Sequence, residues 1–237
     1  MRKLTPLAIA ISLFASAGCT PAQMAVPRPL EGTRSAAHKV KLDRGPINEA
    51  VAFGKWHTTE VDRSWTTRMG SGIKFAGVGM AHESADQPYT FVLTNKKETW
   101  SVECVTRFRN EAVTIGPLKL REGTTRIRCI ALTADKKRRV EIASMMVGSG
   151  KVGVVHLGSD WLAINTEHTL ITGQQLGSAA GYSVRASGNM LAAAQTINDR
   201  KVWVRSPLAP ELKGPVAVTM ASILLYREVK ASSQSML

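Results

Sequence analysis

Acidic residues are few: 18 Asp and Glu stand against 31 Lys and Arg, a formal charge of +13 over 237 residues. Aromatics make up only 5% of the chain, and there are three cysteines. These figures exclude a disordered acidic tail and a multidomain giant. The N-terminal apolar run, Leu4 to Ala17, falls short of the ~20 residues a span needs. Catalytic signatures are missing too. There is no G-x-S-x-G elbow and no H-E-x-x-H pair. Gly148-Ser149-Gly150-Lys151 echoes a phosphate loop, but Met145 and Val152 occupy the positions where that motif needs Gly and Ser/Thr, so it reads as a turn. His82-Glu83 with Asp86 reads as a polar loop before Pro88, and His57, His156 and His168 are dispersed. No catalytic, cofactor-binding or metal-ligating residue is assigned, and an enzyme is not expected. With 44% apolar residues, the chain can bury a core as one domain or two small ones.

What is present begins with an export segment. Arg2 and Lys3 precede the apolar stretch, as in a signal peptide. Ala15-Ser16-Ala17 offers ordinary cleavage before Gly18. Ser16-Ala17-Gly18-Cys19 resembles a bacterial lipobox, which implies removal of residues 1–18 and lipidation of Cys19 with palmitate-type chains. Ser16 departs from the Leu that motif prefers. Cysteine parity favours the lipobox: with Cys19 acylated, Cys104 and Cys129 remain as an even pair able to form a disulfide after export. Thr20, rather than Asp, follows Cys19, which by resemblance to sorting signals implies the outer membrane. Acyl chains bring ~0.8 kcal/mol of membrane affinity per buried CH₂. Cleavage lowers the formal charge from +13 to +11, because Arg2 and Lys3 leave. Such a protein suits anionic lipid, lipopolysaccharide phosphates or acidic wall polymers. Export argues against nucleic acid.

Residues 19–45 carry Pro21, Pro27 and Pro29, scattered cations and no sustained period, and read as a flexible lipid-anchored tether. Residues 46–227 read as a single β-rich domain and 228–237 as a disordered tail. The strand signals are clearest at Tyr89–Thr94, Glu98–Thr106, Ala112–Leu120, Arg126–Thr133 and Arg138–Val147. Five more lie between Lys151 and Arg205, separated by turn residues such as Ser187-Gly188-Asn189. Ten or more short strands predict an antiparallel β-barrel or sandwich. Lys136-Lys137-Arg138-Arg139 reads as a solvated hairpin tip. Trp100, Val102 and Cys104 share one strand face, and Ile127, Cys129 and Ala131 share another. Both thiols therefore point to the apolar side, as an inward disulfide requires, worth roughly 3 kcal/mol. Two buried free thiols are the alternative. Val216–Tyr226 has no charge, and Pro215 suits a helix's first turn. Placed on a helix it is apolar almost all round, which predicts a buried C-terminal helix, inside a barrel or under a sheet. A buried strand is the rival.

Gly181-Tyr182-Ser183-Val184, Gly188-Asn189-Met190-Leu191-Ala192, Val202-Trp203-Val204 and the closing apolar helix resemble the end of tubby-like and phospholipid-scramblase-like domains. The resemblance covers about 45 residues in the C-terminal third. It implies an antiparallel barrel threaded by its last helix and an association with membrane phospholipids. It carries over no site residue. Gly54-Lys55-Trp56 is similar to the G-x-W of lipocalin barrels, the alternative fold, whose closing helix packs outside the barrel.

The leading expectation is thus a non-catalytic outer-membrane lipoprotein whose basic barrel domain, on the periplasmic side, binds or organises lipid, glycolipid or wall polymer. A structural or accessory subunit docking on another envelope protein comes second. A lipocalin-like carrier or an envelope hydrolase comes third.

Overall fold

A computed structural model describes residues 21–32, 35–44, 49–147, 150–227 and 229. The signal segment, Cys19, Gly148 and Ser149 lie outside them. The chain forms one mainly antiparallel sheet, curled into a nearly closed barrel around a C-terminal helix. Its strands in chain order are β1 (Ser35–Lys39), β2 (Lys41–Arg44), β3 (Glu49–Phe53), β4 (Trp56–Arg63), β5 (Thr67–Phe75), β6 (Val78–Thr94) and β7 (Thr99–Ile115). They continue as β8 (Leu118–Thr133), β9 (Arg139–Val147), β10 (Gly150–Leu157), β11 (Asp160–Glu167), β12 (Gly181–Ala186), β13 (Asn189–Gln195) and β14 (Lys201–Arg205).

From β6 to β14 each strand pairs with the next, through short turns except for the connection 168–180 between β11 and β12. Closure depends on one segment. β1 pairs with β14 and β2 with β3, yet only Val40 separates β1 from β2. The two ends of the sheet are therefore consecutive pieces of one extended stretch. Val40 is buried at the junction and donates its N–H to the Arg200 carbonyl.

Helix α1 (Pro210–Leu225) fills the interior. Apolar side chains come from the whole wall, including Val51, Phe91, Trp100, Ile142, Leu162, Val184 and Val202, and surround Val216, Val218, Met220 and Leu224. A helix with apolar residues on every side is stable only when enclosed, and the barrel encloses it. Alanine makes room: Ala192 and Ala194 on β13 belong to the same core as the helix. Pro215 sits inside α1, not in its first turn, which is occupied by Pro210. A proline there deprives the Glu211 carbonyl of its usual donor. Arg138 Nη2 takes that place at 2.5 Å. The buried Thr219 hydroxyl donates to the Pro215 carbonyl at 2.8 Å. Because α1 lies inside the barrel, the lipocalin-like arrangement with an outside helix does not describe this fold.

Cys104 and Cys129 face each other across β7 and β8, both buried, joined by a disulfide of 2.08 Å. The sulfurs lie against the helix, with Cys104 Sγ 3.9 Å from Ser222 Oγ.

Residues 21–32 and 35–44 are not a free tether. Met24 and Leu30 are each 1% exposed, packed with Leu170, Met190, Ala193 and Trp203 on the outside of the wall. The Met24 N–H donates to Gln195 Oε1, and the Ala25 N–H to the Thr169 carbonyl. The prolines that suggested a tether instead frame a single 3₁₀ turn, Arg28–Leu30. At the other terminus, Val229 is buried with Ala85 and Phe108, so the expected tail does not begin at 228.

Candidate functional site

Three strands outgrow the barrel. β6, β7 and β8 have 17, 17 and 16 residues. β4 pairs with β6 only over Tyr89–Thr94, and β9 meets β8 only from Arg126 onward. The remainder of the three, joined by β5 on the β6 side, forms a four-stranded arm. Sequence reading missed it in two ways. It placed a loop at His82–Pro88, which is the middle of β6, and one strand across Ala112–Leu120, which is two strands and their turn. Two hairpin turns end the arm, at Ala76-Gly77 and Gly116-Pro117, with positive φ at Ala76, Gly77 and Gly116. The Gly116 N–H donates to the Gly77 carbonyl at 2.9 Å, holding the turns side by side.

Strand register sets the arm's outer face. The outermost rung is Phe75, Val78, Ile115 and Leu118, and the next is Ile73, Met80, Val113 and Leu120. Eight apolar side chains thus stand together at the free end, Phe75 85% and Ile73 73% exposed. Monomeric proteins rarely expose contiguous apolar patches beyond a few hundred Å² without a partner. Ser71, His82, Glu111 and Glu122 follow, then Met69, Ser84, Arg109 and Thr124, then Thr67, Asp86, Arg107 and Arg126. Arg128, opposite Val105, continues the series. Arg107 chelates Asp86 through contacts of 2.9, 3.2 and 2.7 Å. Arg109, Arg126 and Arg128 are exposed and form no ion pair with a carboxylate among the described residues.

The sequence-singled residues fall differently. His82 lies on the outer face with its Nδ1 4.0 Å from Glu111, whereas Glu83 points to the opposite face and binds Arg68 at 3.0 Å. With Asp86 on Arg107, the three are cross-strand partners rather than one site. His57 is exposed on β4 and His156 on β10; His168 Nδ1 lies 3.2 Å from the Leu176 carbonyl. Among the described residues no three His, Cys, Asp or Glu side chains gather as a metal site. Also among them, no helix is long and apolar enough to cross a membrane. Of the basic run, Lys136 and Lys137 are exposed at the β8–β9 turn. Arg138 instead stacks on Trp100, 5.1 Å from the ring centroid, and pairs with Glu98. Trp65, at the base of the arm between β4 and β5, is 93% exposed.

The arm shares one end of the barrel with the N-terminal segment. The Ala22 carbonyl accepts from Asn198 Nδ2, and Lys201 Nζ reaches Gln23. Asn198 belongs to the β13–β14 connection, where Arg200 also bonds the Leu224 carbonyl at the helix C-terminus. Val229, just beyond that helix end, packs on the arm residues Ala85 and Phe108. No family model matches the chain, nor does any curated protein or solved structure.

Proposed function

We propose that this is an exported outer-membrane lipoprotein, anchored through Cys19, whose basic barrel domain binds an anionic envelope lipid or glycolipid surface with its β-arm. The observation that carries the proposal is the order of rungs along the arm's outer face. Two apolar rungs occupy the free end, a rung with His82, Glu111 and Glu122 comes next, and the exposed arginines stand behind that. Rungs on one face are spaced ~7 Å apart along a strand, so the apolar end is about as long as the ~5–10 Å to which interfacial elements bury in headgroups. Arg109, Arg126 and Arg128 lie two to four rungs behind the apolar end, beyond the rung that carries Glu111 and Glu122, and would act on an anionic surface through their longer-range field. Placement supports the reading as well. Pro21 stands at the arm's end of the barrel, and Cys19 is two residues before it, within ~7 Å of chain. Anchor and arm would meet the same membrane. The helix-filled barrel is also what the tubby-like and scramblase-like resemblance implies, and we include that kinship in the proposal.

The test uses residues 20–237, without acyl chains, in flotation with phosphatidylglycerol-containing and purely zwitterionic vesicles at physiological salt. Flotation with the anionic vesicles is expected. The variant Ile73→Ser/Phe75→Ser/Leu118→Ser should lose it, and Arg109→Gln/Arg126→Gln/Arg128→Gln should lose the preference for anionic lipid. Absence of flotation, or flotation indifferent to both variants, overturns the proposal.

The second reading, docking on another envelope protein, has its own support. Among the described residues β5 pairs only with β6, and residues 118–125 of β8 pair only with β7. Such strand edges offer N–H and C=O groups for strand addition. Crosslinking in intact cells from a residue of β5 to a neighbouring protein, with no flotation, would favour it.

A further inference from the structure

At the opposite end of the barrel, where α1 enters, a cleft of about 450 Å³ lies between the helix, β1, the β3–β4 turn and the segment after β14. That volume is within the ~300–1,000 Å³ range of small-molecule sites. Its floor is apolar, with Phe53, Trp56, Leu208 and Val216. Its basic residues are His38, Lys55, Arg205 and Lys213, and among the described residues no carboxylate lines it. Among the described residues none of these four is in an ion pair with an acid. Asn95 and Ser206 add neutral hydrogen-bonding groups. The N-terminus of α1, which no side chain caps, contributes its positive end at the same mouth.

Gly54-Lys55-Trp56 takes its meaning here. Gly54 has φ +58°, and a Cβ on it would come within 3.2 Å of the His38 ring. Glycine thus lets the turn fold tightly against β1, placing Lys55 and Trp56 together in the lining of the cleft. Like charges collected around an apolar floor without a counter-charge raise the local positive potential, which an anionic head relieves. The apolar floor offers a tail burial at ~25 cal/mol per Å².

We infer that this cleft binds a single-chain anionic amphiphile, its carboxylate or phosphate head against Lys55, Arg205 and Lys213 and its chain over Phe53 and Trp56. The site is independent of the arm and of the lipid-surface proposal. Whether the head is that of a fatty acid or of a lysophospholipid-type phosphate is read from the assay.

The delipidated protein, residues 20–237, is titrated calorimetrically below the critical micelle concentration with laurate, dodecyl phosphate and dodecanol. Saturable one-to-one binding of laurate or dodecyl phosphate is expected, with dodecanol weaker by about tenfold or more. The tighter of the two anions identifies the head. Lys55→Gln/Lys213→Gln should lower the anion's affinity by about tenfold and leave dodecanol unaffected. All three residues of the basic head site face solvent, so the thermal midpoint should not move. Phe75→Ser on the arm should change nothing. Non-saturable uptake, equal affinity for dodecanol, or indifference to Lys55→Gln/Lys213→Gln overturns the inference. Should the double variant fail to fold, raised ionic strength replaces it: anion affinity must fall with salt while dodecanol affinity does not.

Discussion

Reducing the Cys104–Cys129 disulfide should weaken the fold by about 3 kcal/mol. The bond closes a loop with a sequence separation of 25, and most of its effect lies in the unfolded chain, which it prevents from expanding. In the native state the two residues are already directly opposite in the β7–β8 ladder, so the sheet holds the thiols in place without the bond. For a domain of this length, ~3 kcal/mol corresponds to a fall in thermal midpoint of roughly 6–12 °C. The disulfide is buried against α1, so the protein has to be unfolded in denaturant to be reduced, then refolded with reductant. Urea unfolding followed by circular dichroism compares the oxidised and reduced forms of the same chain. Cys104→Ala/Cys129→Ala should lose more than the reduced protein, because it also empties the space of two buried sulfurs. Equal midpoints for the oxidised and reduced protein would refute the loop argument and assign the stability of this hairpin to packing alone.

Gly214 lies where the helix crosses Trp100. A Cβ there would come within 2.8 Å of the indole and 2.9 Å of Glu98 Oε2. Gly214→Ala should therefore destabilise by about 1–2 kcal/mol, although alanine is the better helix former by ~1 kcal/mol; a stabilised variant in urea melts would contradict this. The last turn of α1 has no basic residue of its own, and its carbonyls are met from the wall by Arg63, 2.6 Å from Leu225 O, and Arg200, 2.9 Å from Leu224 O. Arg63→Met and Arg200→Met should each cost about 1–2 kcal/mol, read as a shifted urea midpoint; no shift in either would remove the arginines as helix caps. Burial pushes the Tyr89 phenol well above its ordinary range, with nearby Arg63 opposing. Both folded and unfolded states are protonated below pH ~10, so this group leaves stability unaltered there. Above that, only the unfolded chain ionises, and stability declines by up to ~1.4 kcal/mol per pH unit. Tyr89→Phe should lower stability at neutral pH, losing the bond to the Ser222 carbonyl, yet flatten the alkaline decline; parallel pH profiles would exclude Tyr89 as its source.

The sequence carried the barrel where its strands enclose α1, and lost it along the arm. Trp100, Val102 and Cys104 alternate with Ser101 and Glu103 because the former lie against α1, and the pattern names both the face and the cysteine pairing. Val216–Tyr226 was legible as a helix for the same reason, being enclosed almost all round, and Tyr226 proves to be its C-cap; its first turn was not legible, because Glu211 and Lys213 stand exposed at the mouth. The arm buries few apolar side chains, Ala85 and Phe108 among them, too few to impose a hydrophobic alternation. β5 is exposed throughout, and Gly70 and Gly72 lower its strand propensity, so its register comes from the backbone ladder rather than from burial. One local signal was available: Gly116-Pro117 marks a turn inside what otherwise reads as a single apolar strand. Residues 21–44 were opaque for a different reason. Met24 is buried by Leu170 and fits against Gly181, where a Cβ would come within 2.3 Å of its sulfur. Contacts between residues some 150 apart in the chain leave no period to read. What the arm does retain is a composition no enclosed core explains. Apolar residues at Ile73, Phe75, Val78 and Met80 recur with period two on a face that the fold leaves uncovered. Alternation that serves no interior is the mark of a surface made to be covered by something else, and an anionic cover is what the vesicle flotation puts to the test.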